Sequence, residues 1–339
     1  MRTSRTLPLF VAALALTACG PNSGDGNPGT GPTGSSTTDA TDTPWGPGDN
    51  TPLDPNAPVE PLAEWNGELF EDSALVWWMP EQPRAVVWVF HGANMTAGVA
   101  NLTETVAILN ELALVGIGFI APSSVDTPPG NQWDTSVGPG NADLARVDRI
   151  RDHVMAQSDL TASTPVLAWG FSNGADMARA LTDHGRESGW DVRALSAHNG
   201  SISTPSVPAV FVISENDAVA SNSRIRGDYD DGVDRGDTVA LYEAVEAPLD
   251  PLRFNRISGY RDETSQFQFD ELVEWGVISA TGDRLIDLSQ VDATVADLEA
   301  NSAGWSPAQA GQQLRVVWCT HQIDGQFALE ERDFFLDQL

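Results

Sequence analysis

The chain has 339 residues, 48 of them Asp or Glu against 18 arginines and no lysine, for a formal net charge of −30. That balance disfavours nucleic acid and anionic membrane surfaces as partners, because both are bound through clustered basic side chains. Cys19 and Cys319 are the only cysteines, too few for a disulfide framework.

Residues 1–18 begin with Arg2 and Arg5 and continue into the apolar run LPLFVAALALTA (7–18). The run is too short to span a bilayer and is built like an export signal. It ends in LTAC (16–19), which resembles the lipobox of bacterial lipoproteins. The resemblance implies cleavage before Cys19, lipidation of that cysteine and attachment to a bacterial membrane after export. With Gly20 in the next position, it implies the outer membrane. Losing Arg2 and Arg5 with the signal takes the net charge from −30 to −32. An acidic surface without lysine suits adaptation to salty water; high-GC codon bias is the alternative. Residues 19–60 are mostly Gly, Pro, Ser, Thr, Asn and Asp and are predicted to be a disordered, lipid-anchored tether.

Residues 61–339 suit one large α/β domain. Strands are predicted at 74–80, 85–92, 115–122, 164–170, 192–200, 208–217 and 313–321. AVVWVFHG (85–92) is a continuous apolar run of the kind buried on both faces of a parallel sheet. Helices are predicted at about 100–114, where Leu102, Val106, Leu109 and Leu112 recur at helical spacing, and at 141–157, with Leu144, Val147, Ile150 and Val154. Others cover 173–185, stopped by Gly185, and 329–339. Strands alternating with helices predict a mostly parallel sheet covered on both faces, with ligands at the carboxyl ends of its strands. Cys319, in the last predicted strand, reads as a buried, inert thiol.

The strand at 164–170 runs into WGFSNGADM, where Gly170 and Gly174 flank Ser172. A G-x-S-x-G between a buried strand and a helix has the setting of a nucleophile elbow. The tight turn strains the serine backbone, its neighbours must be small, and the helix start aims N–H groups at a developing anion. A plain Gly-Ser turn is the alternative. From about residue 66 the chain resembles an α/β-hydrolase. GFSNGADMARAL and VVWVFHGANMTAG resemble the elbow and oxyanion loop of secreted feruloyl-esterase and polyhydroxybutyrate-depolymerase-like esterases. The resemblance implies a serine esterase with Ser172 as nucleophile, and the backbone N–H groups of Asn173 and Ala93 as oxyanion donors. His91 then shapes the loop. Trp133 and Asn94 are expected at the substrate, and no cofactor or metal is expected.

In such hydrolases the triad follows the order Ser, Asp, His. That order selects Asp217, with Glu215 as rival, and His321 ahead of the final helix. His153 and His184 fall on helices and are expected to face solvent, while His198 ends a strand where it could line the pocket. The family often writes G-H-x-W around the base; this chain has CTHQIDGQF, which leaves the pocket's shape open. Asp324 reads as a turn cap.

The long gap between Asp217 and His321 predicts an insertion at about 225–310, a lid or substrate wall or else a remote decoration. Within it, 264–276 reads as a helix capped by Thr264 or Ser265 and stopped by Gly276, and a small hairpin is predicted around Thr281, Gly282 and Asp283. Phe267, Phe269 and Trp275 would join Trp133 as an aromatic wall. The acidic stretch 227–237 lacks the spacing of a calcium loop at Asp228, Asp230 and Asp234, and reads as a solvated loop. The expected activity is hydrolysis of short-chain or aryl carboxylic esters, small or polymeric, through an acyl-enzyme. A prolyl-oligopeptidase-type peptidase and a catalytically inactive binding module stay open, although no repeat of propeller-blade length is present.

Overall fold

The computed structural model describes residues 51, 53–126, 130–301 and 307–339. Cys19, the signal and most of the tether lie outside these residues. The strands are β1 (Asn66–Phe70), β2 (Ser73–Trp78), β3 (Ala85–Phe90), β4 (Ile117–Pro122), β5 (Val166–Phe171), β6 (Val192–His198), β7 (Ala209–Ser214) and β8 (Val239–Ala244). They form one sheet in the order β1-β2-β4-β3-β5-β6-β7-β8. The pairs β1–β2 and β2–β4 are antiparallel and the rest are parallel. This is the mostly parallel α/β sheet expected from the sequence.

Strands β3, β4, β5 and β7 bury every residue, which is why they read as unbroken apolar runs. Alternation still sorts their side chains by face. Trp88 and Phe90 of β3 pack with Val147 and Ile150 of α2 (Ala142–Met155) and with Met177 and Leu181 of α3 (Asn173–Glu187). Val87 and Val89 pack on the other face with Ile108 and Leu112 of α1 (Thr103–Leu114) and with Phe335 of α8 (Ala328–Asp337). Helices therefore cover both faces.

Strand β1 was not predicted. Its residues Asn66, Gly67 and Glu68 carry no alternation, and Leu69 is 74% exposed on the sheet edge. The hairpin to β2 turns through Glu71 and Asp72, both at positive φ (50° and 61°), as a two-residue loop between twisted strands requires. Glycine normally fills such positions. Here Arg149 holds the Glu71 carboxylate through two hydrogen bonds of 2.6 and 2.7 Å, and Arg146 donates to the carbonyls of Phe70 and Glu71. Long-range contacts thus replace the local turn signal.

Several boundaries differ from the expectation. Residues 313–321 are not a strand: α7 (Pro307–Val317) covers most of them, and Trp318 N–H continues the ladder to Leu314 O at 3.0 Å. Ala310, Leu314 and Trp318, four residues apart, are buried against Val291, Val295 and Leu298. A short apolar run fits a buried strand or a buried helix equally, so only the partner surface decides. The sheet ends at β8, joined to β7 by α4 (Asn222–Arg235). Residues 225–244 therefore belong to the core, and the excess begins at 245. The acidic stretch 227–237 lies mainly on α4 and is not a loop. It is tied to the domain by Ile225, which is fully buried, and by a Ser201–Asp228 hydrogen bond.

The excess has its own apolar core, built from α5 (Asp262–Glu274), α6 (Val291–Asn301), α7 and the turn 253–256. Helix α5 starts before Thr264, and Ser265 is fully buried, bonding Phe254 N and Pro251 O instead of capping. The predicted hairpin reduces to one bridge, Ile278 to Arg284. Gly185 does not stop α3; it lets Val192 approach, since a Cβ there would lie 2.8 Å from that side chain. Part of the predicted tether also lies along the domain: Val59 N–H donates to Arg256 O, and the carbonyls of Pro55 and Glu60 accept from Arg253 and Asn110. Among the described residues no helix is long and apolar enough to cross a membrane.

Candidate active site

The turn from β5 into α3 puts Ser172 at φ 55°, ψ −123°, a conformation that a non-glycine residue holds only when its surroundings enforce it. The enforcement is visible. A Cβ on Gly170 would lie 2.0 Å from Gly174 O, and one on Gly174 would lie 2.2 Å from Phe90 O. Both positions therefore require glycine. Ser172 N–H donates to His198 O at 2.8 Å, on the neighbouring strand β6. The hydroxyl makes no capping bond to α3, so the side chain at this helix start is not consumed by the helix. Ser172 and Asn173 are half-buried.

The close approach of Gly174 to β3 brings the following turn, residues 91–95, against the elbow. Gly92 packs on the Phe171 ring, and Asn94, exposed at φ 64°, donates its N–H to Gly130 O. Ala93 lies between them. His91 is fully buried; its Nδ1 faces Gly92 O at 2.8 Å, and its Nε2 accepts from Ser124 N–H at 3.2 Å. Burial pushes the imidazole down to about 4, so His91 stays neutral and shapes the loop. Trp133 is 5% exposed: its indole N–H donates to His91 O and its backbone N–H to the Asn173 side chain, both at 2.8 Å. It pins the 91–95 turn to the elbow rather than presenting an open wall.

Asp217 follows β7. Its Oδ1 accepts from Val219 and Ala220 N–H, and its Oδ2 lies 2.7 Å from His321 Nδ1. The carboxylate is fully buried and the imidazole 18% exposed. The rival Glu215 points elsewhere, accepting Glu246 N–H. His321 sits in the turn between α7 and α8, with its ring 4.8 Å from that of Phe171, the residue before Ser172. No hydrogen bond joins Ser172 Oγ to the imidazole among the described residues; packing through Phe171 brings the two segments together.

The other histidines are committed elsewhere. His153 and His184 are half-buried and bonded to Glu68 and Asp148, while His198, which could have faced the pocket, is fully buried against Glu331. A cleft of about 410 Å³ opens beside His321, between Val219 of the Asp217 loop and Leu288, Val291 and Arg315 of the excess segment. Phe267, Phe269 and Trp275 do not line it: Phe269 is in the satellite core, and the other two are exposed.

Three residues that the sequence reading missed hold the His321 turn. Asn199 Nδ2 donates to Gln322 O, Asn216 N–H to Cys319 O, and Gly325 N–H to the Glu104 carboxylate. Only Asn199 left a trace, as a polar residue at a strand end. Cys319 is buried, and burial pushes its thiol up to about 12, so it is inert. Asp324 does cap the short turn into α8, through Gln326 N–H. Burial, with repulsion from Glu104, also raises its carboxyl to about 6. The folded chain therefore holds a proton that the unfolded chain releases near pH 4, and stability falls as pH rises from about 4 to 6. Asp324→Asn, which cannot ionise, should leave stability unchanged near pH 4 and raise it by about 2–3 kcal/mol at pH 7.5. Urea unfolding at the two pH values checks this; an equal effect at both would contradict it.

No family model and no curated protein sequence matches this chain. Solved structures match it distantly. A thermostable esterase aligns at 15% identity over 62% of each chain, with a TM-score of 0.40, so the chain spans under two thirds of that protein. An arylesterase aligns at 10% identity over 64% of this chain and 85% of that one, with a TM-score of 0.42. A bacterial heroin esterase aligns at 14% identity over 53% and 74%, with a TM-score of 0.38. Similarity this distant assigns no chemistry, which has to be read from the site itself.

Proposed function

We propose that the chain is a serine hydrolase that cleaves carboxylic esters through an acyl-enzyme. The observation that supports this most is the Asp217–His321 hydrogen bond of 2.7 Å, with the imidazole packed on Phe171, the residue before a strained, uncapped Ser172. Ser172 Oγ attacks the ester carbonyl and His321 Nε2 takes its proton, forming a tetrahedral oxyanion. Asp217 holds Nδ1–H, which fixes the tautomer and stabilises the imidazolium. The N–H groups of Ala93 and Asn173 receive the oxyanion. As it collapses, the proton passes to the departing alcohol and the acyl group stays on Ser172. Water, deprotonated by His321, then releases the acid and restores the serine. The missing Ser–His hydrogen bond is compatible with this chemistry, because such contacts are often long until substrate binds.

The cleft beside His321 favours a short-chain or aryl ester. Its walls combine the aliphatic side chains of Ala218, Val219, Leu288 and Val291 with polar ones, among them Thr320, Gln322 and the Arg315–Asp292 ion pair at 2.8 Å. The test compares kcat/KM for p-nitrophenyl butyrate, methyl ferulate, an emulsified long-chain triglyceride and a peptide, with Ser172→Ala as blank. The first two should exceed the others by at least about tenfold, the scale of one or two misplaced apolar contacts. Preference for the peptide would instead support a peptidase. Failure of a fluorophosphonate to label Ser172 would support an inactive binding module.

A further inference from the structure

We propose that Glu331 of α8 is a positioning residue for the nucleophile, a role that rests on reading Ser172 as that nucleophile. Glu331 is fully buried in the apolar layer behind the sheet. Its Oε2 accepts from Trp169 Nε1 at 3.1 Å and from Ser196 Oγ at 2.8 Å, and its Oε1 lies 2.9 Å from His198 Nε2. Among the described residues, none of these three groups has another hydrogen-bond partner. A carboxylate is costly to bury unless its oxygens are satisfied, and here three donors satisfy it.

All three donors come from β5 and β6, the strands whose ends build the elbow. Trp169 is three residues before Ser172. His198 pairs with Phe171 in the ladder, and its carbonyl accepts Ser172 N–H at 2.8 Å. The Trp169 and His198 rings lie 4.6 Å apart, so Glu331 fixes them as one unit. His198 Nδ1 is buried without a hydrogen-bond partner, so the hydrogen bond orienting this ring is the one to Glu331. A serine at φ 55° keeps that geometry only while its frame is over-determined, and Glu331 supplies part of the frame from beneath.

The same helix also sets the base. Helix α8 follows the His321 turn directly, and Arg332, next to Glu331, is bonded to Glu111 of α1 at 2.9 Å. The Ser172 strands and the His321 turn are thus referenced to one rigid element. Moving Glu331 alters the separation of nucleophile and base without touching substrate.

The test compares Glu331→Ala and Glu331→Gln on p-nitrophenyl butyrate, together with the rate of fluorophosphonate labelling at Ser172. In the alanine variant kcat and the labelling rate should both fall by about 10- to 100-fold, the cost of a displacement up to an ångström, with KM nearly unchanged. The glutamine variant should recover most of both. Its carbonyl can take Trp169 and Ser196 while its amide donates to a neutral His198 Nε2. Phe335→Leu, a core truncation on the same helix, should lower Tm without lowering kcat. If the alanine variant does not fold, Ser196→Ala removes one contact alone and should lower kcat by a smaller factor. Alanine or Ser196 variants with wild-type kcat, or a glutamine variant as slow as alanine at equal Tm, would overturn the proposal. A wild-type protein that neither turns over esters nor labels at Ser172 would instead overturn the nucleophile reading beneath it.

Discussion

Ser172→Ala and His321→Ala should each lower kcat on a short-chain ester by a factor on the order of 10⁶, and the double variant should be no slower than either. In the proposed mechanism the three groups act as one unit: without the nucleophile there is no acyl-enzyme, and without the base the hydroxyl stays protonated. Asp217→Asn should cost less, on the order of 10⁴, because Ser172 and His321 survive while the imidazole loses its preferred tautomer. Stability should separate the variants as well. Ser172 Oγ makes no cap bond to α3, so its removal should shift Tm little. Asp217 accepts two backbone N–H groups besides His321, so its replacement should lower Tm visibly. Steady-state kinetics with thermal melts reads both, and wild-type turnover by Ser172→Ala would end the assignment.

Glu104→Ala should destabilise the fold by about 3–5 kcal/mol, the usual cost of stripping one partner from a buried ionic cluster. Glu104 lies in the first turn of α1, fully buried, and accepts from four residues on three segments. Arg256 binds both of its oxygens at 2.8 Å, Gln313 donates at 2.9 Å, Gly325 N–H at 3.1 Å and Arg253 at 3.3 Å. Burial alone would raise this carboxyl, but Arg256 and Arg253 outweigh it and hold it at about 2. Its folded value lies below the unfolded one, so its contribution is present above about pH 4.5 and lost as pH falls toward 2. Alanine would leave two buried guanidinium groups without their shared anion and would free the turn that carries His321. The variant should therefore lose stability at pH 7 and less of it near pH 3, and where it remains folded its kcat should fall. Urea unfolding at both pH values checks this; a loss below about 1 kcal/mol at pH 7 would show the cluster to be a solvated one.

Part of this site was legible because its signals are local. The elbow needs two glycines, a serine and the change from strand to helix within a few residues, and Asp217 stands where an apolar strand stops. His321 was reached through the family order rather than its own surroundings. The strand expected before it is helix α7, so the candidate base was chosen with the wrong element around it. The apolar residues of 313–321 are compatible with either structure. What chose the helix is the satellite core, where Ala310, Leu314 and Trp318 find Val291, Val295 and Leu298. The aromatic wall failed for a related reason. Phe267, Phe269 and Trp275 share a short stretch of chain, but helical geometry sends Phe269 inward and leaves the other two exposed.

By itself the sequence determined the class of fold and the candidate chemistry. Apolar runs that no single-faced sheet would bury, with helical periodicity between them, specify a parallel sheet covered on both faces. The elbow then marks one strand end. Only the tertiary structure decided what holds these groups in place. Glu104 and Gly325 are 221 positions apart, and Glu331 is 162 from Trp169 and 133 from His198. On paper each is one more acid in a very acidic chain. A carboxylate becomes a buried anchor only when segments distant in sequence close around it with donors that replace water. That condition leaves no periodicity and no spacing to read, so it exists only in the folded protein.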